Sequence, residues 1–107
     1  MPRKTLGITT VQVLHAVSLG KRYGFDIMDA TGLPSGTVYP ALSRLERTGM
    51  LRAKWESHQV AQRQKRPPRK YYQITREGRA RLAEATERIR AVERTLSSDA
   101  NTREATA

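Results

Sequence analysis

Five cations stand between Glu56 and Glu77 with no acid among them: Arg63, Lys65, Arg66, Arg69 and Lys70. Side chains of this type at this density neutralise phosphate oxygens and displace the counterions that surround them. A second set lies upstream. Ser35, Thr37, Tyr39, Ser43, Arg44 and Arg47 are interspersed with Val38, Ala41, Leu42 and Leu45, and the apolar four recur at helical spacing. One helix face therefore turns inward while the other offers hydroxyl and guanidinium groups, which hydrogen-bond base edges and phosphates. Thr37, Tyr39 and Ser43 suit base contact, whereas Arg44 and Arg47, in the last turn, suit phosphate. Tyr39 has a rival place, stacked in the core.

Catalysis has little to work with. The two histidines, His15 and His58, lack an Asp or Glu at metal-ligand spacing, and there is no cysteine. No glycine-rich phosphate loop, nucleophile elbow or paired-carboxylate arrangement occurs. His15 reads as a packed core or interface residue. The expectation is no enzyme, no metal and no cofactor.

The elements that must position these groups follow from periodicity. Ile8 to Leu19 is apolar over more than one face, so this helix meets the core and something beyond it. After a turn, Phe25, Ile27 and Met28 form the apolar side of a short helix that ends near Gly32, a residue suited to a left-handed cap. Leu33 to Gly36 connects it to a third helix, from Ser35 to Thr48. Pro40 strains that helix; an irregular first turn or bend, capped by the Ser35 and Thr37 hydroxyls, is favoured over a start near Thr37. Leu51, Ala53 and Trp55 then alternate with Arg52, Lys54 and Glu56, as in a half-buried strand. Trp55 is read as a core residue, with a pocket role as the alternative. A second strand spans Arg69 to Thr75, with Tyr72 and Ile74 on one face. Between the strands, His58 to Pro68 reads as a basic, mobile finger. Thr75 can cap a last helix, whose Leu82, Ala85, Ile89, Val92 and Leu96 repeat every three or four residues, the seam of a coiled coil.

The fold class is thus mainly α with a small β-hairpin, a winged helix-turn-helix plus a C-terminal dimerisation helix. Residues 1–7 form a flexible basic start and 8–75 the winged unit. Residues 76–97 form the dimerisation helix and 98–107 a disordered tail. Arg3 and Lys4 read as a frayed end or a minor-groove arm.

Charge divides the chain the same way. Of 20 Lys and Arg against 10 Asp and Glu, residues 1–76 hold 14 basic and 4 acidic side chains, and the remainder holds 6 of each. A basic body on a charge-balanced arm implies that one part meets a polyanion and the other meets protein. At 107 residues and 37% hydrophobic, a lone core is thin, which favours pairing. No stretch approaches a membrane span or a secretory signal, so a cytoplasmic protein with no membrane partner is expected.

Tyr23-Gly24-Phe25, Gly36-Thr37-Val38-Tyr39-Pro40-Ala41-Leu42 with Arg44-Leu45-Glu46, and Arg69-Lys70-Tyr71-Tyr72 with Thr75 and Glu77-Gly78-Arg79 together resemble the PadR family of winged-helix regulators. The resemblance spans about Leu6 to Leu82. Pro34 precedes Ser35 here, whereas similar proteins have the serine before the proline. The resemblance implies a dimeric, repressor-like transcriptional regulator of the short C-terminal branch, bound to double-stranded DNA. Its homodimer would pair through Val13 and Val17 of the first helix and Leu82, Ala85, Ile89, Val92 and Leu96 of the last. It also allows a small-molecule effector of unknown identity near the dimer interface. The last helix has no aromatic residue, so a ligand sandwiched there between aromatic rings is not expected. Two alternatives stand: a nonspecific or architectural nucleic-acid binder, and a winged-helix protein-interaction module.

Overall fold

The computed structural model describes the backbone of residues 5–106 and the side chains of residues 5–98. Arg3 and Lys4 lie outside the described residues. The elements are α1 (Ile8–Ser18), α2 (Gly24–Thr31), α3 (Ser35–Arg47), β1 (Leu51–Trp55), α4 (His58–Arg63), β2 (Lys70–Ile74) and α5 (Arg76–Thr106). This is a winged helix-turn-helix followed by a long C-terminal helix.

Burial on several sides of α1 organises the core. Thr10, Val11, Val13, Leu14, Ala16 and Val17 are all buried, and α1 touches α2, α3, β2 and α5. Val13 and Val17 are sealed inside the chain's own core, at 0% and 5% exposure, so neither reaches a partner as the sequence reading proposed. What α1 meets beyond the core is the same chain's α5. His15 points to solvent, not into the core, because it falls on the narrow side of α1 that no element covers.

Glycine ends α1 and α3 alike. Gly20 (φ +96°) and Gly49 (φ +80°) take the left-handed conformation, letting the amides of Lys21 and Met50 return to the carbonyls of Ala16 and Leu45. In α2, Ile27 is fully buried but Phe25 is 73% exposed. Two helical positions are roughly 200° apart on the wheel, so Phe25 cannot share the side of Ile27. Helix α3 opens on the carbonyl of extended Pro34, which accepts from the amides of Thr37 and Val38; the expected Ser35 and Thr37 hydroxyl caps are not made. Ser35 is already the first helical residue, one place too late to cap. Pro40 lies inside the helix, and the carbonyl it deprives belongs to exposed Gly36.

The strands pair antiparallel, Leu51 with Ile74 through Trp55 with Lys70. The amide of Tyr72 also donates to the carbonyl of Arg22 at 2.8 Å, tying the α1–α2 turn to the outer side of β2. Leu51 and Tyr72 are buried and Ala53 and Ile74 pack against the core, but Trp55, on the same face, is 67% exposed. The alternation was legible; the strand simply runs past the end of the core. The segment expected to be a mobile finger contains α4, capped by the Ser57 hydroxyl at the Val60 amide and anchored by buried Ala61.

Thr75 begins α5 as expected: its hydroxyl accepts from the Gly78 amide at 3.0 Å and donates to the Gly49 carbonyl at 2.6 Å. Gly78 is buried because a Cβ there would collide with the Met50 carbonyl and with Ile74 Cγ1 at 2.8 Å. Leu82 packs on the core and Ala85 is 1% exposed, so the first part of the seam docks within the chain. Described side chains from Arg90 to Ser98 are exposed. The backbone stays helical to Thr106 where a disordered tail was expected, since extending an existing helix through Ala, Arg and Glu needs no new nucleus. Among the described residues, no helix is long and apolar enough to cross a membrane.

Replacing Gly78 by Ala should cost roughly 1–3 kcal/mol through overpacking. Gly36→Ala, with nothing near its Cβ position, should be neutral or gain up to about 1 kcal/mol. Urea denaturation of both variants checks the contrast; equal stabilities would contradict it.

Candidate nucleic-acid interface

The face of α3 farthest from the core is formed by Gly36, Pro40, Ser43 and Arg47, at intervals of four, three and four, and all four are exposed. Of the predicted contacts, Ser43 and Arg47 lie on this ridge and Ser35 is exposed at its start. Thr37 is half-buried. Arg44 leans toward α1, with its Nη1 donating to Thr10 Oγ1 at 3.4 Å, which takes it off the ridge. Tyr39 leans the other way, toward the hairpin. Its ring lies on Gly24, where a Cβ would stand 2.5 Å from the phenol oxygen, and the side chain is half-exposed outside the core. Glycine at 24 is therefore what lets α2 and α3 approach.

The hairpin is built around one carboxylate. Glu56, with only 7% of its side chain exposed, accepts from Arg66 Nη1 at 2.6 Å and Nη2 at 3.1 Å, from the Tyr23 hydroxyl at 2.9 Å and from the Arg69 amide at 2.9 Å. The Arg66 guanidinium, helped by the Arg69 amide and the Tyr23 hydroxyl and opposed by burial, holds the Glu56 carboxyl from its ordinary value near 4.5 down to about 2. The same contact raises the pKa of Arg66, and the bond to Glu56 raises that of Tyr23. Arg66 also donates to Gln64 Oε1 and to the Pro67 carbonyl. It is therefore a brace within the hairpin, not the phosphate ligand that the acid-free run implied.

The other cations divide. Lys70 is half-buried, 3.3 Å from Glu46 on α3, and lies over the Tyr72 ring. Arg69 is exposed, with its guanidinium 5.9 Å above the Tyr23 ring, which in turn meets Tyr71 edge-on. Arg63 and Lys65 are exposed at the end of α4. Lys65 holds the left-handed conformation (φ +53°) that ends α4, with the Arg66 amide returning to the Ala61 carbonyl. A non-glycine residue pays roughly 1–2 kcal/mol for that conformation. Here it places a positive charge at the tip of the hairpin.

The sequence reading did not single out Glu56 as an acceptor, or Phe25 and exposed Trp55 as surface groups. The only signal for Glu56 was its position as the last acid before the basic run. Arg52 and Lys54, exposed on the outer hairpin face, were legible from strand alternation. Among the described residues, no three His, Cys, Asp or Glu side chains gather to hold a metal ion.

A helix-turn-helix whose second helix shows a polar ridge, followed by a braced cationic hairpin, has the form of a DNA reader. The sequence profile of the transcriptional regulator PadR-like family matches residues 13–84. The chain belongs to that family. This PadR-like chain is a DNA-binding transcriptional regulator, and solved structures share its fold. A PadR family transcription regulator from Clostridium difficile is 23% identical, with 86% of this chain and 97% of that one covered at a TM-score of 0.75. A PadR-like regulator from Bacillus cereus is 23% identical over 86% and 90%, at 0.70. BpsR from Bordetella bronchiseptica, whose DNA binding is regulated by 6-hydroxynicotinic acid, is 20% identical over 89% and 67%, also at 0.70. No curated protein matches the chain.

Because the folded carboxyl of Glu56 titrates below its unfolded counterpart, its contribution to stability is complete above about pH 4.5 and lost as pH falls toward about 2. In that window the wild-type PadR-like regulator should lose more stability than its Glu56→Gln variant. Parallel curves in pH-dependent denaturation would refute the brace.

Proposed function

We propose that this PadR-like regulator is a sequence-specific repressor that binds a two-fold symmetric operator as a homodimer. The observation that carries the reading is the polar ridge of α3 standing beside a hairpin whose tip cation, Lys65, is held outward in a costly backbone conformation. Ser43 and Arg47 read base edges and neighbouring phosphates from the major groove, with Ser35, Thr37 and Tyr39 close to the same strand. Arg63, Lys65 and Arg69 bind phosphate without regard to sequence, while Arg66 and Lys70 hold the hairpin in place. Arg44 acts from the edge of the ridge.

Residues 8–75 form the DNA-reading unit and α5 the dimerisation arm. With Val13, Val17 and Ala85 committed internally, pairing falls to the outer seam. There Val92 and Leu96 are 53% and 63% exposed, and Ile89 is half-covered. An apolar i, i+4 pair on a protruding helix is the geometry a second copy covers. Two-fold pairing would set the reading helices about 34 Å apart, one turn of duplex. A small-molecule effector is part of the proposal, as BpsR, a neighbour in fold, is regulated by one. The site of action is the cytoplasm, where such an operator lies.

Each phosphate contact contributes about 0.9 to the slope of log affinity against log salt. Lys65→Gly should therefore flatten that slope and weaken all DNA sequences alike, while keeping or raising stability because glycine takes the left-handed conformation without strain. Filter binding across a salt series, paired with denaturation, checks both halves; unchanged affinity would remove Lys65 from the interface. Val92→Glu with Leu96→Glu should give a folded monomer with operator affinity reduced at least tenfold. Sedimentation showing an intact dimer would overturn the outer-seam assignment.

A further inference from the structure

Between the start of α2, the near flank of α3 and the hairpin lies a groove of about 640 Å³, within the range of small-molecule sites. Its walls are aromatic. Phe25 and Trp55 are 73% and 67% exposed, Tyr39 is 47% exposed, and Tyr72 is buried at 7%. Neither Phe25 nor Trp55 is explained by packing, since both project from elements whose other apolar residues enter the core. Large rings left in solvent around a concavity form a stacking surface for another flat group.

Charge at the groove restricts what that group carries. Arg69 and Lys70 line it against a single acid, Asp26. The two cations are near aromatic faces, Arg69 over Tyr23 and Lys70 over Tyr72, and Glu46, the partner of Lys70, does not line the groove. An anionic substituent is therefore favoured over a cationic one, and the lone carboxylate leaves one place for a hydrogen-bond donor on the same molecule.

The geometry points to this groove as a binding site for a flat aromatic molecule bearing one acidic group, whose occupancy excludes DNA. Exclusion follows from placement: Tyr39 stands on the reading helix and Arg69 on the hairpin, so a ligand seated here takes up surfaces the duplex needs. The regulation differs from a ligand held between paired C-terminal helices, because each protomer carries a whole site. This inference rests on the DNA-binding reading above for its consequence, but not for the site itself.

Trp55 is the single tryptophan of the chain, so its indole N–H gives one reporter signal in a nitrogen-15 correlation spectrum. With 2-naphthoate as probe, that signal should shift saturably, while neutral 2-naphthamide and the cation 2-naphthylmethylammonium bind at least tenfold more weakly. Phe25→Ala, at an exposed position, should weaken 2-naphthoate at least tenfold without loss of fold. DNA selected by the protein from a random pool should be released over the same concentration range. No indole shift, equal binding of the three probes, or a shift without DNA release overturns the proposal and leaves the DNA-binding reading standing. Selective 2-naphthoate binding to a protein that retains no duplex overturns the DNA-binding reading and supports the groove.

Discussion

A carboxylate that is nearly withdrawn from water keeps its charge only if donors surround it, and Glu56 has them from three parts of the chain. Tyr23 comes from the turn before α2, Arg66 from the end of α4, and the Arg69 amide from the start of β2. Because the charged form is stabilised, these segments are held at a fixed separation, which sets the hairpin's position relative to the helix-turn-helix. The cost is one cation of the basic run, withdrawn from DNA to neutralise the acid. The return is a hairpin whose remaining cations, at Arg63, Lys65 and Arg69, are held in place before any duplex arrives.

The core applies a similar economy to apolar groups. Because α1 is buried on most of its circumference, it joins the reading helix α3 to the arm α5 through one continuous set of contacts. The arm is divided in consequence: its first turns complete the domain, and its outer turns carry the exposed apolar pair. A domain this small gains from spending side chains on its own core first, since a thin core leaves little stability to lose. Two identical domains linked through such arms move together, so a change at one reading surface is transmitted only as far as α1 and α5 are rigid.

Most of the architecture was legible because it depends on period and on punctuation. Val38, Ala41, Leu42 and Leu45 specify the inward side of α3 without reference to anything distant, and Gly20, Gly32 and Gly49 end helices through their own backbone freedom. The Thr75 cap was equally local. Side chains whose fate depends on a distant partner were not legible in this way. Trp55 obeys the strand alternation yet lies in solvent, because alternation gives the side of a strand and not the extent of the core beneath it. Val13 and Val17 are apolar on a helix that looked double-faced, and only the position of α5 shows that both sides are covered from within.

Sequence by itself determined the element order, the inward face of each helix and strand, the basic bias of residues 1–76 and the ridge of α3, since all follow from neighbours a few residues apart. The tertiary structure decided which cations remain available. Arg66 and Lys65 are adjacent and of like charge, yet one is drawn to a carboxylate ten residues away in sequence and the other is turned outward by a left-handed backbone. The difference lies in electrostatic pairing across the folded hairpin, a contact that exists only once the chain has closed on itself.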